Sequence, residues 1–113
     1  MRVTTDFWVS ALVRRVFADG GFAAVISRGA AEAGVVHILT RDRLGDVTLY
    51  SPAPQTSYDD ARPEDRRFSC VAGLSPEQLE QRLDKERRFD PDFWIVEIEP
   101  GRAGIAELIS IAT

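Results

Sequence analysis

Apolar and polar residues follow two different periods along the chain, and the longer period predicts a helix near the N-terminus. Between residues 6 and 18 the apolar side chains recur every three or four positions, which places them on one face of an amphipathic helix. These side chains are Val9, Leu12, Val13, Val16 and Phe17. Gly20 and Gly21 follow, and glycine is typical of the end of a helix.

The next apolar runs have the shorter, alternating period of β-strands. Three of them, at residues 22–28, 35–41 and 46–50, are joined by short connections that contain glycine, which predicts an antiparallel meander. A long irregular segment follows at residues 51–67, and a fourth strand-like run at residues 68–72. Both alternating sets of the second run are largely apolar, so we expect that strand to lie inside the sheet.

A second helix has the clearest local signal in the chain. Ser75 is the predicted N-cap, Pro76 occupies the first helical position, and Gln78 completes a capping box. The helix must end by Asp90, because the residue before a proline is disfavoured in helical geometry. A strand at residues 93–99 follows.

The predicted element order, α-β-β-β-β-α-β, indicates a single α+β domain that spans residues 1–113. We expect a two-layer sandwich, in which a mostly antiparallel sheet of about four to five strands carries two helices on one face. Within the last strand, Trp94, Val96 and Ile98 share a face and should point toward the helices. The tail from residue 101 onward suits either a short helix or a strand.

The composition limits the kinds of partner and compartment. The net charge is −4, and the basic residues are thirteen arginines and one lysine. An acidic total argues against nucleic acid as a partner, because a phosphate backbone favours a positive surface. No apolar run is long enough to span a bilayer, and the N-terminus lacks the features of a signal peptide. We therefore expect a cytoplasmic protein that makes no membrane contact.

Few residues have the chemistry of a catalytic or metal-binding group. His37, the only histidine, lies in an apolar strand and is expected to pack there, and Cys70 is expected to be a small buried hydrophobe. The best acidic candidates are Asp59, Asp60 and Glu64 in the long loop. Their spacing does not match a calcium-binding loop, and neighbouring arginines compete for the carboxylates. We therefore expect no metal ion and no cofactor.

Tryptophan and arginine are enriched in binding hot spots, and their presence here indicates a contact surface. The candidate binding residues are Trp8, Tyr58, Asp59, Asp60, Arg66, Trp94 and Glu97. Glu97 shares a strand face with Glu99, and we expect it to meet an arginine, a metal ion or water. The partner would be an unidentified protein or small molecule, or a second copy in a homodimer.

Four segments, WVSALVRR, GGFAAVISRG, LYSPAP and RRFDPDFWIVEIEP, follow one another in an order that resembles a small bacterial family, domain of unknown function 1491. The resemblance extends to about Pro100, and the aromatic-rich FDPDFWIVEIE is its most specific part. It implies a compact, soluble bacterial domain. It implies no activity, cofactor or site residue.

The sequence thus predicts a non-catalytic binding or protein-interaction module. One alternative is a small hydrolase or metal-dependent enzyme that uses the carboxylates of residues 51–67. A second alternative is a protein that binds single-stranded nucleic acid through its arginines, which requires them to cluster on one face despite the negative total.

Overall fold

The computed structural model describes residues 3–54 and 66–112, which form three helices and six strands. The helices are α1 (Thr5–Ala18), α2 (Pro76–Phe89) and α3 (Ile105–Leu108). The strands are β1 (Phe22–Ser27), β2 (Val36–Arg41), β3 (Val47–Pro52), β4 (Arg67–Leu74), β5 (Trp94–Glu99) and β6 (Ser110–Ile111). Both predicted helices and all predicted strands are present, and their ends lie close to the predicted ones.

All the described strands belong to one mixed sheet in the order β1-β5-β2-β3-β4-β6. Neighbours pair antiparallel in β1–β5, β2–β3 and β3–β4, and parallel in β2–β5 and β4–β6. The α+β class is therefore confirmed, whereas the sheet has more strands than predicted. The predicted meander is wrong at its first connection, because β5 lies between β1 and β2. β5 takes that interior place because it is apolar on both faces, whereas β1 buries only Ala23.

The two long helices pack on opposite faces of the sheet, which corrects the prediction that both lie on one face. The core under α1, which we call the α1-side core, consists of Val9, Leu12, Val16, Ala23, Val36, Ile38, Tyr50, Phe68, Trp94, Val96, Ile98, Leu108 and Ile109. The core under α2, the α2-side core, consists of Leu39, Val47, Leu49, Leu74, Leu79, Leu83, Phe93 and Ile95. Successive residues of β5 alternate between these cores, so each face of the sheet needs a helix to cover it.

Side-chain caps fix the first turn of both long helices. In α1 the Thr4 hydroxyl accepts a hydrogen bond from the Phe7 N–H at 3.2 Å. In α2 the Gln78 N–H donates to the Ser75 hydroxyl at 3.2 Å, and the Ser75 N–H donates to the Gln78 side chain at 2.9 Å. This is the predicted capping box, and it is complete. α2 ends at Phe89, so the predicted stop before the proline is confirmed as well.

The tail adopts both of the structures that its sequence permits. α3 is a single helical turn, and β6 pairs in parallel with the start of β4. Leu108 and Ile109 enter the α1-side core. None of the helices in the described part of the chain has the length and the apolar character that crossing a membrane requires.

Cys70 of β4 is exposed, which corrects its predicted burial. β4 lies beside the short edge strand β6 and buries only Phe68 and Leu74. Within the apolar run at residues 68–72 that suggests a buried strand, only Phe68 is fully buried.

Candidate functional site

Two of the predicted contact residues, Trp8 and Arg66, meet at one end of the sheet. Cζ of the Arg66 guanidinium lies 5.3 Å from the centroid of the Trp8 ring, which is a cation–π distance. Nη2 of Arg66 donates to the Thr5 hydroxyl at 2.6 Å, and Nη1 donates to the Gly34 carbonyl at 3.3 Å. Burial lowers the pKa of Arg66 from its ordinary value, but an arginine stays charged at neutral pH. Arg66 therefore ties the start of β4 to α1 and to the loop before β2.

That loop closes over the start of α1. The Thr5 hydroxyl donates to the Gly34 carbonyl at 3.0 Å, and the backbone N–H groups of Thr5 and Asp6 donate to loop carbonyls at 3.1 and 2.9 Å. Helix N–H groups that already have partners offer no anion site. The adjoining cavity has a volume of about 200 Å³ and is lined by Val3, Thr4, Glu32 and Ala33. It is smaller than the roughly 300–1,000 Å³ of typical ligand sites, so the residues that the structure describes at this end of the sheet form a packed junction.

Trp94 belongs to the core, which corrects its place among the predicted contact residues. It is 0% exposed, and its indole N–H donates to the Ala30 carbonyl at 2.8 Å. The Arg28 guanidinium stacks on it, with Cζ 4.8 Å from the ring centroid, and donates to Asp6 at 2.9 Å. The prediction that Trp94 faces a helix is confirmed, because it lies in the α1-side core.

Glu97 meets an arginine, one of the three partners expected for it. Its Oε2 atom lies 3.3 Å from Nε of Arg41. Glu97 alternates along β5 with residues of the α1-side core, so it lies on the α2 face of the sheet. Trp8 packs against the opposite face. Glu97 therefore does not join Trp8 and Arg66 in one surface.

The remaining predicted binding residues, Tyr58, Asp59 and Asp60, lie outside the described residues, as does Glu64. The chemistry expected of the acidic loop therefore stays a prediction. Within residues 3–54 and 66–112, no three His, Cys, Asp or Glu side chains form a group that could hold a metal ion.

His37 is buried in the sheet, as predicted, and burial favours its neutral form. It is 2% exposed, its Nδ1 lies 2.9 Å from the Ser51 hydroxyl, and its ring packs edge-on against Phe93 at 4.8 Å. Its Nε2 has no hydrogen-bond partner among the residues that the structure describes. Burial is the largest influence on the pKa of His37 and lowers it. The nearby carboxylates of Glu86 and Asp90 act in the opposite direction with a smaller effect.

The structure also has an exposed apolar surface that the local sequence pattern does not predict. Four large side chains on β1 and the adjacent end of α1 reach solvent, and we call them the β1 strip. They are Phe17, Phe22, Val25 and Ile26, with exposed fractions of 49%, 55%, 36% and 57%. The rings of Phe17 and Phe22 are in edge-to-face contact, with centroids 5.5 Å apart. The signal in the sequence is that residues 20–27 contain no charged side chain.

The chain is similar to proteins of known structure. The solution structure of a protein from A. tumefaciens is 44% identical to it, with 99% of this chain and 96% of that chain covered and a TM-score of 0.81. The crystal structure of a DUF1491 family protein from Caulobacter crescentus CB15 is 32% identical, with 100% of both chains covered and a TM-score of 0.72. The family model for the protein of unknown function DUF1491 matches residues 3–104. No curated protein matches the chain.

Proposed function

The chain belongs to DUF1491, a family of proteins of unknown function, and we propose from its exposed surface that it is a non-catalytic protein-interaction module. It would bind its partner through the β1 strip. The observation that carries this proposal is that β1, an edge strand of six residues, presents large apolar side chains to solvent. We place this activity in the cytoplasm, as the sequence predicts.

The position of β1 in the sheet supports binding. Among the described strands, β1 stands at one end of the order and pairs with β5 alone, so its other edge offers N–H and C=O groups to a further strand. Proteins usually protect such an edge with charged residues, with proline or with a very short strand. The opposite edge, β6, has only two residues. β1 has six residues, and none of them is charged or a proline.

The side chains of the strip support the same proposal. Contiguous exposed apolar patches mark interaction sites, because their exposure to water is unfavourable. When a strand is added to a sheet edge, main-chain hydrogen bonds supply affinity and the flanking side chains supply specificity. Phe22 and Ile26 would be the main contributors of apolar contact, since they are the most exposed of the large apolar residues of β1.

The described arginines favour a protein partner over single-stranded nucleic acid. Three of them have carboxylate partners, at distances of 2.9, 3.3 and 2.7 Å: Arg28 with Asp6, Arg41 with Glu97, and Arg87 with Asp84. These pairs lie on separate elements of the fold, and each carboxylate offsets the positive charge that a phosphate backbone would require.

The proposal is tested by comparing the proteins that cross-link to the chain in its native cell. The double variant Phe22→Glu plus Ile26→Glu removes the apolar character of the strip, and we expect it to lose the partners that the wild type retains. The matched control is Leu44→Glu, because Leu44 is 88% exposed and lies outside β1. Circular dichroism checks that both variants are folded. Partners that are retained equally by the wild type and by both variants would contradict the proposal.

A further inference from the structure

We infer that the partner on the β1 strip is a second copy of this chain, joined by antiparallel pairing of β1 with the β1 of the other copy about a two-fold axis. The inference rests on the proposed function and deepens it by naming the partner. Two sheets joined in this way would form one continuous sheet, with the α1 faces of both copies on the same side. A two-fold interface brings the same patch of both subunits together, so the strip must be complementary to itself.

The sequence of β1 has that self-complementarity. When the axis passes through the sheet at Ala24, residues of the same face lie opposite each other, as antiparallel pairing requires. Phe22 then lies opposite the partner's Ile26, and Ala23 lies opposite the partner's Val25. Each of these pairs occurs twice in the dimer. Aromatic and β-branched residues that lie opposite each other are among the favourable cross-strand pairs.

The shape of β1 limits how far this pairing extends. The register between β1 and β5 shifts between Val25 and Ser27, which marks a bulge at Ile26. A bulge bends the strand and ends regular pairing, so the new ladder is short. Side-chain contacts must therefore supply much of the affinity, and Phe17 extends the apolar surface because its ring rests on Phe22.

Charges at the ends of β1 agree with antiparallel pairing. Arg28 follows one end of β1 and Asp19 precedes the other, so antiparallel pairing brings Arg28 of each copy to the same end of the ladder as the partner's Asp19. The Asp19 carboxylate also accepts a hydrogen bond from the Ala103 N–H at 2.6 Å. The Arg28 side chain is 67% exposed, although it also pairs with Asp6. Each end of the ladder therefore carries one charge of each sign. Like charges do not meet within it, since residues 20–27 carry none.

The test measures the mass of the purified full-length chain by sedimentation equilibrium over a concentration range of about a hundredfold. The wild type should approach twice the 12.6 kDa of one chain at high concentration. The variant Phe22→Glu plus Ile26→Glu places like charges opposite each other and should raise the Kd of the dimer at least about tenfold. The variant Phe22→Lys plus Ile26→Glu places opposite charges at the same two positions and should restore most of the dimer. Leu44→Glu should behave as the wild type.

Three results would overturn the inference. The first is a wild type that stays monomeric at every concentration. The second is a dimer that survives the doubly acidic variant. The third is a charge-swapped variant that dimerises no better than the doubly acidic one, since this excludes the proposed register. A monomeric wild type whose cross-linked partners are lost in the doubly acidic variant would leave the proposed function standing, because the β1 strip would then bind another protein.

Discussion

His37 and Glu97 are polar residues that enter the sheet among apolar neighbours, and their surroundings satisfy them to different degrees. Glu97 lies near the rim, where Arg41 offsets its charge. His37 lies deeper, with the Ser51 hydroxyl beside Nδ1 and no described partner for Nε2. A charged imidazole in such an enclosed place would be costly, so the fold favours the neutral form.

The stability of the protein should therefore depend on the protonation of His37. Burial lowers its pKa in the folded state, so the unfolded chain takes up the proton first as the pH falls below about 6.5. The stabilisation is fully present above that pH. Below it the free energy of unfolding decreases, by at most about 1.4 kcal/mol per pH unit, until the folded histidine is protonated too.

Urea unfolding of the wild type and of His37→Gln, at several pH values from about 5 to 7, measures this effect. Glutamine retains a polar group near Ser51 but does not titrate, so the variant should lose less stability as the pH falls. The carboxylates contribute equally to the pH dependence of both proteins. The difference between the two slopes of unfolding free energy against pH therefore gives the contribution of His37. Equal slopes would contradict the prediction.

Single residues of the candidate site could be predicted from the sequence only where alternation along a strand decides their place. The alternation of residues 93–99 correctly predicts Trp94 in the core, whereas its residue type alone suggests a contact surface. The same alternation leaves the partner of Glu97 open among an arginine, a metal ion and water, and the fold places Arg41 beside it. The exposure of Phe22 and Ile26 depends on which strand lies beside β1, and no local pattern contains that information.

The start of α2 is an element whose stability rests on a few identified hydrogen bonds. Ser75→Ala removes the side-chain half of the capping box and leaves the Gln78 N–H without its acceptor. We expect the free energy of unfolding to fall by about 1 kcal/mol, within the range of roughly 0.5–2 kcal/mol found for such caps. Urea unfolding measures the change. Ser75→Asp keeps an acceptor at the cap and should retain most of the stability; a loss as large as that of the alanine variant would show that the cap is not the cause.

The helices and strands could be predicted from the sequence because their signals are local. Their arrangement in the sheet could not. The capping box, the glycines and the proline near Asp90 mark helix ends within a few residues of each other along the chain. The place of β5 between β1 and β2 depends on contacts between residues far apart in the sequence, such as His37 with Ile95. Short connections that contain glycine favour a hairpin between β1 and β2. Burial of both apolar faces of β5 inside the sheet is the stronger effect, so β5 lies between those two strands.

The two cores are joined through the strands that they share. Trp94, Val96 and Ile98 of β5 belong to the α1-side core, whereas Ile95 of the same strand belongs to the α2-side core. Val36 and Leu39 of β2 are divided in the same way. Loss of packing under one helix should therefore loosen strands that the other helix needs, and the molecule should unfold as one unit.

This coupling can be measured because both tryptophans lie on the α1 side of the sheet. Leu83→Ala removes a buried side chain under α2 and should lower the free energy of unfolding by about 2–5 kcal/mol. In urea, the tryptophan fluorescence and the helical circular dichroism of this variant should change together, at a lower midpoint than in the wild type. Leu12→Ala, the matched change under α1, should give the same coincidence. If the helical signal of Leu83→Ala fell first while the fluorescence kept the wild-type midpoint, the two faces would unfold independently.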